Sequence, residues 1–274
     1  MPGYSNYFRS QCLNFTGAAR LPIVHLYPPA NVLAAAHDHD YAEMTWEDSF
    51  LKAISVTEIA ESEIETLERK TRGQATNPQW FIERTKRITS SDFSPICKCL
   101  KEPGKFARSL TENKCFYSAA TDHGRKYESH AVAAYEKDCD VVTKQCGIFA
   151  SKDYPYLAAS PDRIVDDQKI LEVKCPYTSR NKFISHSTVL YLIDCNDGCL
   201  QLSPAYQYYY QIQGQLFCCN RSVCDLFVYT FVDKRIITVK RDEEFIRTML
   251  LQLERFLNEH FRNAVLQKFF YLSL

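Results

Sequence analysis

The chain has no long hydrophobic run and no excess of charge of either sign. Its 274 residues carry 33 basic and 33 acidic side chains, so the formal net charge is zero. No apolar stretch approaches the ~18 to 20 residues of a membrane-spanning helix, and no basic segment followed by an apolar one opens the chain. These absences argue against a membrane protein, a secreted protein and a generic polycation. We therefore expect an intracellular protein, nuclear or cytoplasmic, that does not associate with a membrane.

Cysteine is plentiful, but its spacing does not suit a metal. None of the twelve cysteines forms a C-x2-C pair, the spacing typical of structural zinc sites. Reduced thiols are favoured over disulfides, because the chain is expected to be intracellular and is large enough to bury its own core.

The balanced charge is unevenly distributed along the chain. Acidic residues dominate up to Glu68, and basic residues dominate from Arg69 to Arg108. A local basic stretch on a neutral protein is what a groove that follows a DNA backbone would carry. A solvated helix face has the same composition, and both interpretations stay open at this point.

The most informative segment contains two carboxylates and a lysine. Residues 158–165 and 169–175 have strand-forming composition, and the polar residues 166–168 between them favour a turn. If those three residues form the loop, Asp162 faces Glu172 directly, with Cβ atoms ~5 Å apart. Lys174 then lies on the same face as Glu172, because side chains alternate along a strand.

Such a pair of carboxylates predicts a metal site. Asp162 and Glu172 would repel each other unless a hard cation such as Mg²⁺ or Mn²⁺ lay between them. The Lys174 amine beside them can orient or deprotonate a water molecule and offset developing charge on a phosphate. The alternative is an exposed hairpin with an ordinary surface ion pair.

Helical and strand patterns fill most of the remaining sequence. Helical patterns cover Thr57–Thr71, Gln79–Arg87, His123–Glu136, a segment that begins at Ser203–Pro204, and a long amphipathic segment capped by Asp242. Strand patterns cover Gly147–Ser151, Val223–Phe231 and Ile236–Lys240.

Two of these helices carry polar side chains on one face. The first places Trp80, Arg84 and Arg87 on one broad face, and the later one does the same for Tyr208, Gln211 and Gln215. Ser91 follows the first helix and is suited to cap the next one. Gly214 costs its helix ~1 kcal/mol relative to alanine, which predicts a close packing contact there.

Four segments, taken in order, resemble one known family. The matching segments are Trp80 … Arg84 … Arg87-Ile88-Thr89-Ser90-Ser91, Gly124-Arg125-Lys126-Tyr127-Glu128, Ser160-Pro161-Asp162 … Glu172-Val173-Lys174, and Tyr208-Tyr209-Tyr210-Gln211-Ile212-Gln213-Gly214-Gln215-Leu216. They are similar to motifs of the PD-(D/E)XK nucleases and, more closely, of the lambda exonuclease branch, also called YqaJ-type viral recombinases. The resemblance covers roughly residues 61–240.

The resemblance implies a fold and a set of roles. It implies an α/β (α+β) restriction-endonuclease-like core with a central mixed β-sheet flanked by helices. It also implies that four groups bind one or two Mg²⁺ or Mn²⁺ ions and that an amine activates water. A glutamine is expected to position the active-site groups, and two further residues are expected to bind a 5′-phosphate. The residues matching these roles are, for the metal, Glu128, Asp162, Glu172 and the carbonyl of Val173; for the water, Lys174; for ordering the site, Gln211; and for the phosphate, Arg84 and Ser91.

The implied activity is that of a metal-dependent DNA nuclease. The resemblance favours a 5′-to-3′ exonuclease on double-stranded DNA, used in recombination of viral or mobile-element type. It also implies a ring-shaped trimer and a single-strand annealing protein as partner. Three alternatives stay open: an endonuclease of the same superfamily, a catalytically inactive DNA-binding or recombination scaffold, and an iron–sulfur nuclease with a cluster at Cys218, Cys219 and Cys224.

The domain organisation follows from these patterns. Residues 1–56 lack clear periodicity and are expected to form an N-terminal arm or extension. Residues 57–274 are expected to form the nuclease domain.

Overall fold

A computed structural model of the chain describes residues 59–99, 101–112, 118–195 and 198–269. The arm expected over residues 1–56, and the start of the helix predicted from Thr57, lie outside the described residues. The described residues between 59 and 265 form one compact unit, which contains every element below except residues 266–269 of the final helix. No helix in the described ranges is both long and apolar enough to cross a membrane.

Helices make up much of the described chain. The α-helices are α1 (Glu61–Lys70), α2 (Pro78–Lys86), α3 (Phe93–Cys97), α4 (Pro103–Leu110), α5 (Ala119–Cys139), α6 (Gln207–Cys218), α7 (Glu243–Phe256) and α8 (Arg262–Phe269). Short 3₁₀ segments cover Gln74–Thr76, Ser90–Asp92 and Tyr177–Ser179, and a π-helical segment, Leu257–Phe261, joins α7 to α8.

The strands form three sheets. They are β1 (Ile88–Thr89), β2 (Phe149–Ala150), β3 (Leu157–Ala159), β4 (Arg163–Ile164), β5 (Lys169–Lys174), β6 (Leu192–Asp194), β7 (Leu200–Leu202), β8 (Val223–Tyr229) and β9 (Lys234–Lys240). The largest sheet has the order β4-β5-β8-β9, a second has the order β1-β3-β2, and β6 pairs with β7.

The four-stranded sheet is mixed and lies between two helices. β5 and β8 are parallel, whereas β4 and β9 pair with them antiparallel. Parallel neighbours need a long crossover, and α6 lies in the connection between β5 and β8. One face packs Leu171 and Phe227 against Tyr135 of α5, and the other packs Ile170 and Leu226 in one cluster with residues of α6. This arrangement confirms the predicted central mixed sheet flanked by helices.

The predicted hairpin register is confirmed. Arg163 pairs with Leu171 and Ile164 with Ile170, so the next pair outward is Asp162 with Glu172. The loop is residues 166–168, as predicted. It is fixed by the Asp166 carboxylate, which accepts hydrogen bonds from the backbone N–H groups of residues 168 and 169.

The prediction of one continuous strand over residues 158–165 is wrong. The run divides at Ser160–Asp162, so that β3 belongs to the three-stranded sheet and β4 to the four-stranded sheet. Pro161 lies at the break and offers no N–H to a strand ladder. The division lets Asp162 leave the strand and reach the backbone of Val173.

Several predicted boundaries also need correction. α6 begins at Gln207 rather than at Ser203, because the Ser203 carbonyl accepts a bond from the Tyr206 N–H in a turn that precedes the helix. α2 ends before Arg87, whose backbone is extended. α5 is longer than predicted and begins after the Ser118 cap. The Asp242 cap on α7 is confirmed by the bond from the Phe245 N–H.

Some helices and strands of the structure were not predicted from the sequence patterns. The hairpin of β6 and β7 and the helix α4 were not predicted. Among the described residues the first strand is β1, which lies within a segment expected to lead into a helix.

Gly214 makes the close contact that its position in a helix predicts. A Cβ atom on this residue would lie 2.5 Å from Cε2 of Phe93 and 3.1 Å from Cβ of Ser90. Phe93 is fully buried, so it has little room to move away. The glycine therefore allows α6 to approach the segment that carries Ser91.

We expect Gly214→Ala to destabilise the protein by about 1–3 kcal/mol, because overpacking a filled core outweighs the gain in helix propensity. Chemical denaturation measures this change. Gly124→Ala is the matched control, since it lies within α5 and a Cβ there meets nothing within 4 Å. That variant should gain up to about 1 kcal/mol, and equal stability of the two variants would contradict the packing account.

Candidate active site

Glu172 is a buried carboxylate with three side-chain donors. Its side chain is only 2% exposed. Gln211 donates to Oε1 at 2.8 Å, Gln215 donates to Oε2 at 2.7 Å, and the Lys174 ammonium also bonds to Oε1. Gln211 and Gln215 are one turn apart on α6, which is why they reach the same carboxylate. The structure thus brings Glu172, Lys174 and Gln211 together as predicted.

Asp162 lies at the turn between β3 and β4. Its Oδ2 accepts a hydrogen bond of 2.7 Å from the Val173 N–H. Burial, followed by the negative charges of Glu172 and Glu128, raises the pKa of Asp162 well above its ordinary value. The preceding carbonyl, that of Pro161, is held by the Gln74 amide at 2.8 Å, so the turn is anchored from outside the sheet.

Glu128 reaches the same region from α5. With Asp162, Val173 and Lys174 it lines one cavity of about 410 Å³. Its pKa is raised, mainly by burial and also by Glu172, although the Arg163 guanidinium 3.9 Å away opposes the shift. Arg163 also donates to the Asp162 carbonyl at 2.7 Å, so it supports the site from behind β4.

Lys174 is a cation in this arrangement. Burial lowers the pKa of its amine, but the carboxylates of Glu172 and Asp162 outweigh burial and raise the pKa above its ordinary value. The amine lies 4.5 Å from the ring centre of Tyr208, a further favourable contact for a cation. An ammonium can donate a proton or a hydrogen bond, whereas it has no lone pair with which to accept one.

The donor set fits a hard divalent cation. Oxygen ligands from carboxylates and backbone carbonyls are those that Mg²⁺ and Mn²⁺ prefer. Burial is the main cause that raises the pKa values of Asp162 and Glu128, and repulsion between neighbouring carboxylates, which a cation would relieve, adds to it. Within the described residues, no three Asp, Glu, His or Cys side chains converge as a ready metal cluster. Both Glu172 oxygens accept hydrogen bonds from glutamine side chains.

Arg84 and Ser91 lie together beside this site. Arg84 donates to the Ser91 hydroxyl at 3.1 Å, and its guanidinium stacks over the Trp80 ring at 4.4 Å. Trp80 in turn donates to the Ser160 hydroxyl at 3.0 Å, two residues before Asp162. Among the described residues no carboxylate lies within ion-pair distance of Arg84, so its charge is available for an anion.

The neighbouring arginine does not share that role. Arg87 was predicted to lie on one face with Trp80 and Arg84, but it follows the end of α2 and is buried. It pairs with Glu83 and donates to the Pro155 carbonyl at 3.1 Å. The helical spacing does not place Arg87 correctly, because α2 ends one residue earlier, at Lys86.

The basic stretch is partly neutralised inside the protein. Arg72 pairs with Glu68 at 2.8 Å, and Lys86 pairs with Glu83 at 3.4 Å. Residues 69–108 therefore do not form one continuous cationic track. Ser91 does not cap a helix with its side chain either, because its hydroxyl contacts Arg84 and Thr89.

Two contacts of the site were missed from the sequence. Gln215 was placed on the same helix face as Gln211 but was assigned no role, and Tyr208 was assigned no contact with Lys174. The signal for Gln215 was present, since it shares a helix face with Gln211. The spacing alone does not tell which of the two carboxylate oxygens each amide would reach.

Four of the described cysteines lie in the protein interior. Cys146, Cys218, Cys219 and Cys224 are buried and form no disulfide. Burial raises the pKa of each thiol, which disfavours the thiolate that a metal needs.

Solved structures with the same fold are exonucleases. An alkaline exonuclease from Laribacter hongkongensis, LHK-Exo, has a TM-score of 0.56 and 23% identity, covering 71% of this chain and 95% of that one. A phage-related exonuclease from Haemophilus somnus 129PT has a TM-score of 0.50 and 11% identity, covering 68% of this chain and 96% of that one. At these identities the likeness shows the fold.

One curated relative is a protein of Acanthamoeba polyphaga mimivirus described as uncharacterized. It is 23% identical over 229 residues, which are 77% of this chain and 37% of that protein. The chain therefore spans little more than a third of the length of this relative.

We expect Lys174→Met to destabilise the protein by about 3–5 kcal/mol, because it leaves the buried Glu172 carboxylate without its cation. Thermal and chemical denaturation at neutral pH measure the change. Adding Glu172→Gln should restore most of the loss. Lys105→Met removes an exposed lysine paired with Glu102 at 3.6 Å and should cost less than about 1 kcal/mol. A similar small effect at Lys174 would show that the buried pair does not carry the predicted energy.

The family assignment rests on the sequence as well as the fold. The pattern of the YqaJ-like viral recombinase domain matches residues 79–222, more than half of the chain. The match includes both the segment with Arg84 and the helix with Gln211. The chain belongs to the YqaJ-like viral recombinase family.

Proposed function

We propose that this protein is a metal-dependent deoxyribonuclease that degrades double-stranded DNA from a 5′ end, in recombination of viral or mobile-element type. The observation that carries the proposal is the cavity that Glu128, Asp162, Val173 and Lys174 line together, with the buried Glu172 carboxylate bonded to Lys174. Family membership and the exonuclease fold support the same activity.

The proposed metal ligands are Glu128, Asp162, Glu172 and the carbonyl of Val173. When bound there, Mg²⁺ or Mn²⁺ supplies Lewis-acid activation of water and neutralisation of phosphate charge. Glu172 is held in place by hydrogen bonds from Gln211 and Gln215. Carboxylate and carbonyl oxygens suit Mg²⁺ and Mn²⁺ alike, so both ions are proposed for this site.

Lys174 is proposed to act as a proton donor and positive charge. As an ammonium it can orient the attacking water and stabilise negative charge that develops on the phosphate. In the metal-free protein it cannot take a proton, so any role as a base requires that a bound cation first lower its pKa. Its bond to Glu172 fixes its direction within the cavity wall.

Arg84 and Ser91 are proposed to hold the terminal 5′-phosphate. A guanidinium forms bidentate charge-assisted bonds with phosphate, and a hydroxyl adds one more donor. The Trp80 ring holds the guanidinium by stacking and is itself tied to Ser160. This chain of contacts couples the proposed phosphate grip to the turn that bears Asp162. A ring-shaped trimer and an annealing partner remain predictions of the family resemblance.

The proposed chemistry is tested with linear and circular duplex DNA. We expect the wild type to degrade linear 5′-phosphorylated duplex in Mg²⁺, to lose activity in a chelator, and to leave covalently closed circles intact. Asp162→Asn should reduce the rate by more than the ~10- to 100-fold that loss of a supporting partner costs at a metal site. Equal cleavage of circles would favour an endonuclease, and equal inactivity of folded wild type and variant in both metals would favour the DNA-binding scaffold.

The 5′-phosphate grip is tested with the end chemistry of the substrate. We expect the wild type to prefer a 5′-phosphate over a 5′-hydroxyl by about 10- to 150-fold in kcat/KM, the range for a hydrogen bond to a charged group. Arg84→Ala should lower this ratio to near one. Arg255→Ala removes a 77% exposed arginine far along the chain and should keep the wild-type ratio. An unchanged ratio in Arg84→Ala would exclude the proposed grip.

A further inference from the structure

The cavity at the candidate active site has a second, aromatic wall. Besides the charged residues, it is lined by Tyr191, Tyr206 and Tyr208, called here the tyrosine wall. Its volume of about 410 Å³ falls in the ~300–1,000 Å³ range of sites that take small molecules or parts of larger ones. None of the proposed roles uses these rings.

The three rings contact one another. Their centres are 5.6 Å apart for Tyr191 and Tyr206, 4.9 Å for Tyr191 and Tyr208, and 5.2 Å for Tyr206 and Tyr208. Tyr208 also lies 4.5 Å from the Lys174 amine, so the aromatic wall begins directly beside the charged one. Tyr191 precedes β6 and the other two are at the start of α6, so the wall is held by two separate elements.

Tyr191 carries an unexplained polar atom. The residue is 6% exposed, and its hydroxyl oxygen is buried without a hydrogen-bond partner in the described part of the protein. Nearly all buried hydroxyls in folded proteins are paired. A role purely in core packing would be served as well by phenylalanine, whereas an unpaired hydroxyl on a residue that lines the cavity leaves a polar atom for a bound group or a water molecule.

The rings and hydroxyls of the tyrosine wall are suited to bind a planar, aromatic group with polar edges. Rings of this kind stack on bases of any sequence, because every base has a π-face. The adjacent charged wall is suited to a phosphate, so the cavity as a whole matches a nucleotide, with its phosphate at Lys174 and its base at the tyrosines.

We propose that the tyrosine wall binds a nucleobase that flanks the phosphate being cleaved. This inference rests on the proposed nuclease function. If the tyrosine wall binds the base, the rate of cleavage depends on whether a base is present beside the phosphate being cleaved. Tyr206 is the most direct test position. It is half-buried, precedes the helix rather than lying within it, and has no side-chain hydrogen bond within the helix cap.

The experiment compares two linear 5′-phosphorylated duplexes. One has normal nucleotides throughout, and the other carries abasic tetrahydrofuran residues at the first two positions of the degraded strand. Release of the first nucleotide is followed at subsaturating substrate in Mg²⁺. We expect the wild type to favour the normal duplex by about 5- to 150-fold, the range for loss of one stacked base.

Variants then locate the effect. Tyr206→Ala should lower the preference to near one, and Tyr206→Phe, which keeps the ring, should retain it. Tyr210→Ala is the matched control, because Tyr210 lies on the same helix, packs 4.8 Å from Phe245 and does not line the cavity. It should retain the wild-type preference.

The outcomes separate the two proposals. A wild-type preference near one overturns the tyrosine wall as a base site and needs no variant to fold. A full preference in folded Tyr206→Ala overturns it as well. If folded wild type releases no nucleotide from either duplex, the nuclease proposal itself has failed and this inference falls with it.

Discussion

The structure depends on supplying hydrogen-bond donors to one buried carboxylate, that of Glu172. Removing the Glu172 side chain from water carries a large penalty unless donors replace the lost hydration. Lys174, Gln211 and Gln215 supply those donors, and they come from the same strand and from one helix across the sheet. The need to satisfy this carboxylate therefore fixes how α6 lies against β5.

The other parts of the site follow from that position. Because α6 is the crossover between β5 and β8, its approach sets the parallel pairing that builds the mixed sheet. Gly214 lets the same helix contact Phe93, which follows the segment with Ser91. The Trp80–Ser160 bond then ties Arg84 to the turn before Asp162. Charge, packing and the phosphate-side contacts thus form one connected arrangement rather than separate sites.

The features of the site that could be predicted from the sequence depend on loop length and on the residue periods of strands and helices. The register that brings Asp162 close to β5 needs only a three-residue loop and the two-residue period of a strand, and the Asp166 turn supplies that loop. The shared face of Gln211 and Gln215 needs only the helical period.

The features that the sequence patterns missed are determined by tertiary packing. The run from residue 158 to 165 divides between two sheets, which its uniform strand composition does not reveal. Arg87 leaves its expected face because α2 ends, and it is then buried against Glu83. Glu68 looks like one more acidic residue of a solvent-exposed helix, yet it is buried and accepts a hydrogen bond of 2.9 Å from the Gly147 N–H.

The central claim is that the hairpin of β4 and β5 holds the catalytic cation. The most direct test of this claim is anomalous diffraction from crystals grown with Mn²⁺. The account predicts a manganese peak in contact with the Asp162 carboxylate and the Val173 carbonyl, lost in Asp162→Asn. Manganese bound elsewhere, or a peak that persists in Asp162→Asn, would contradict it.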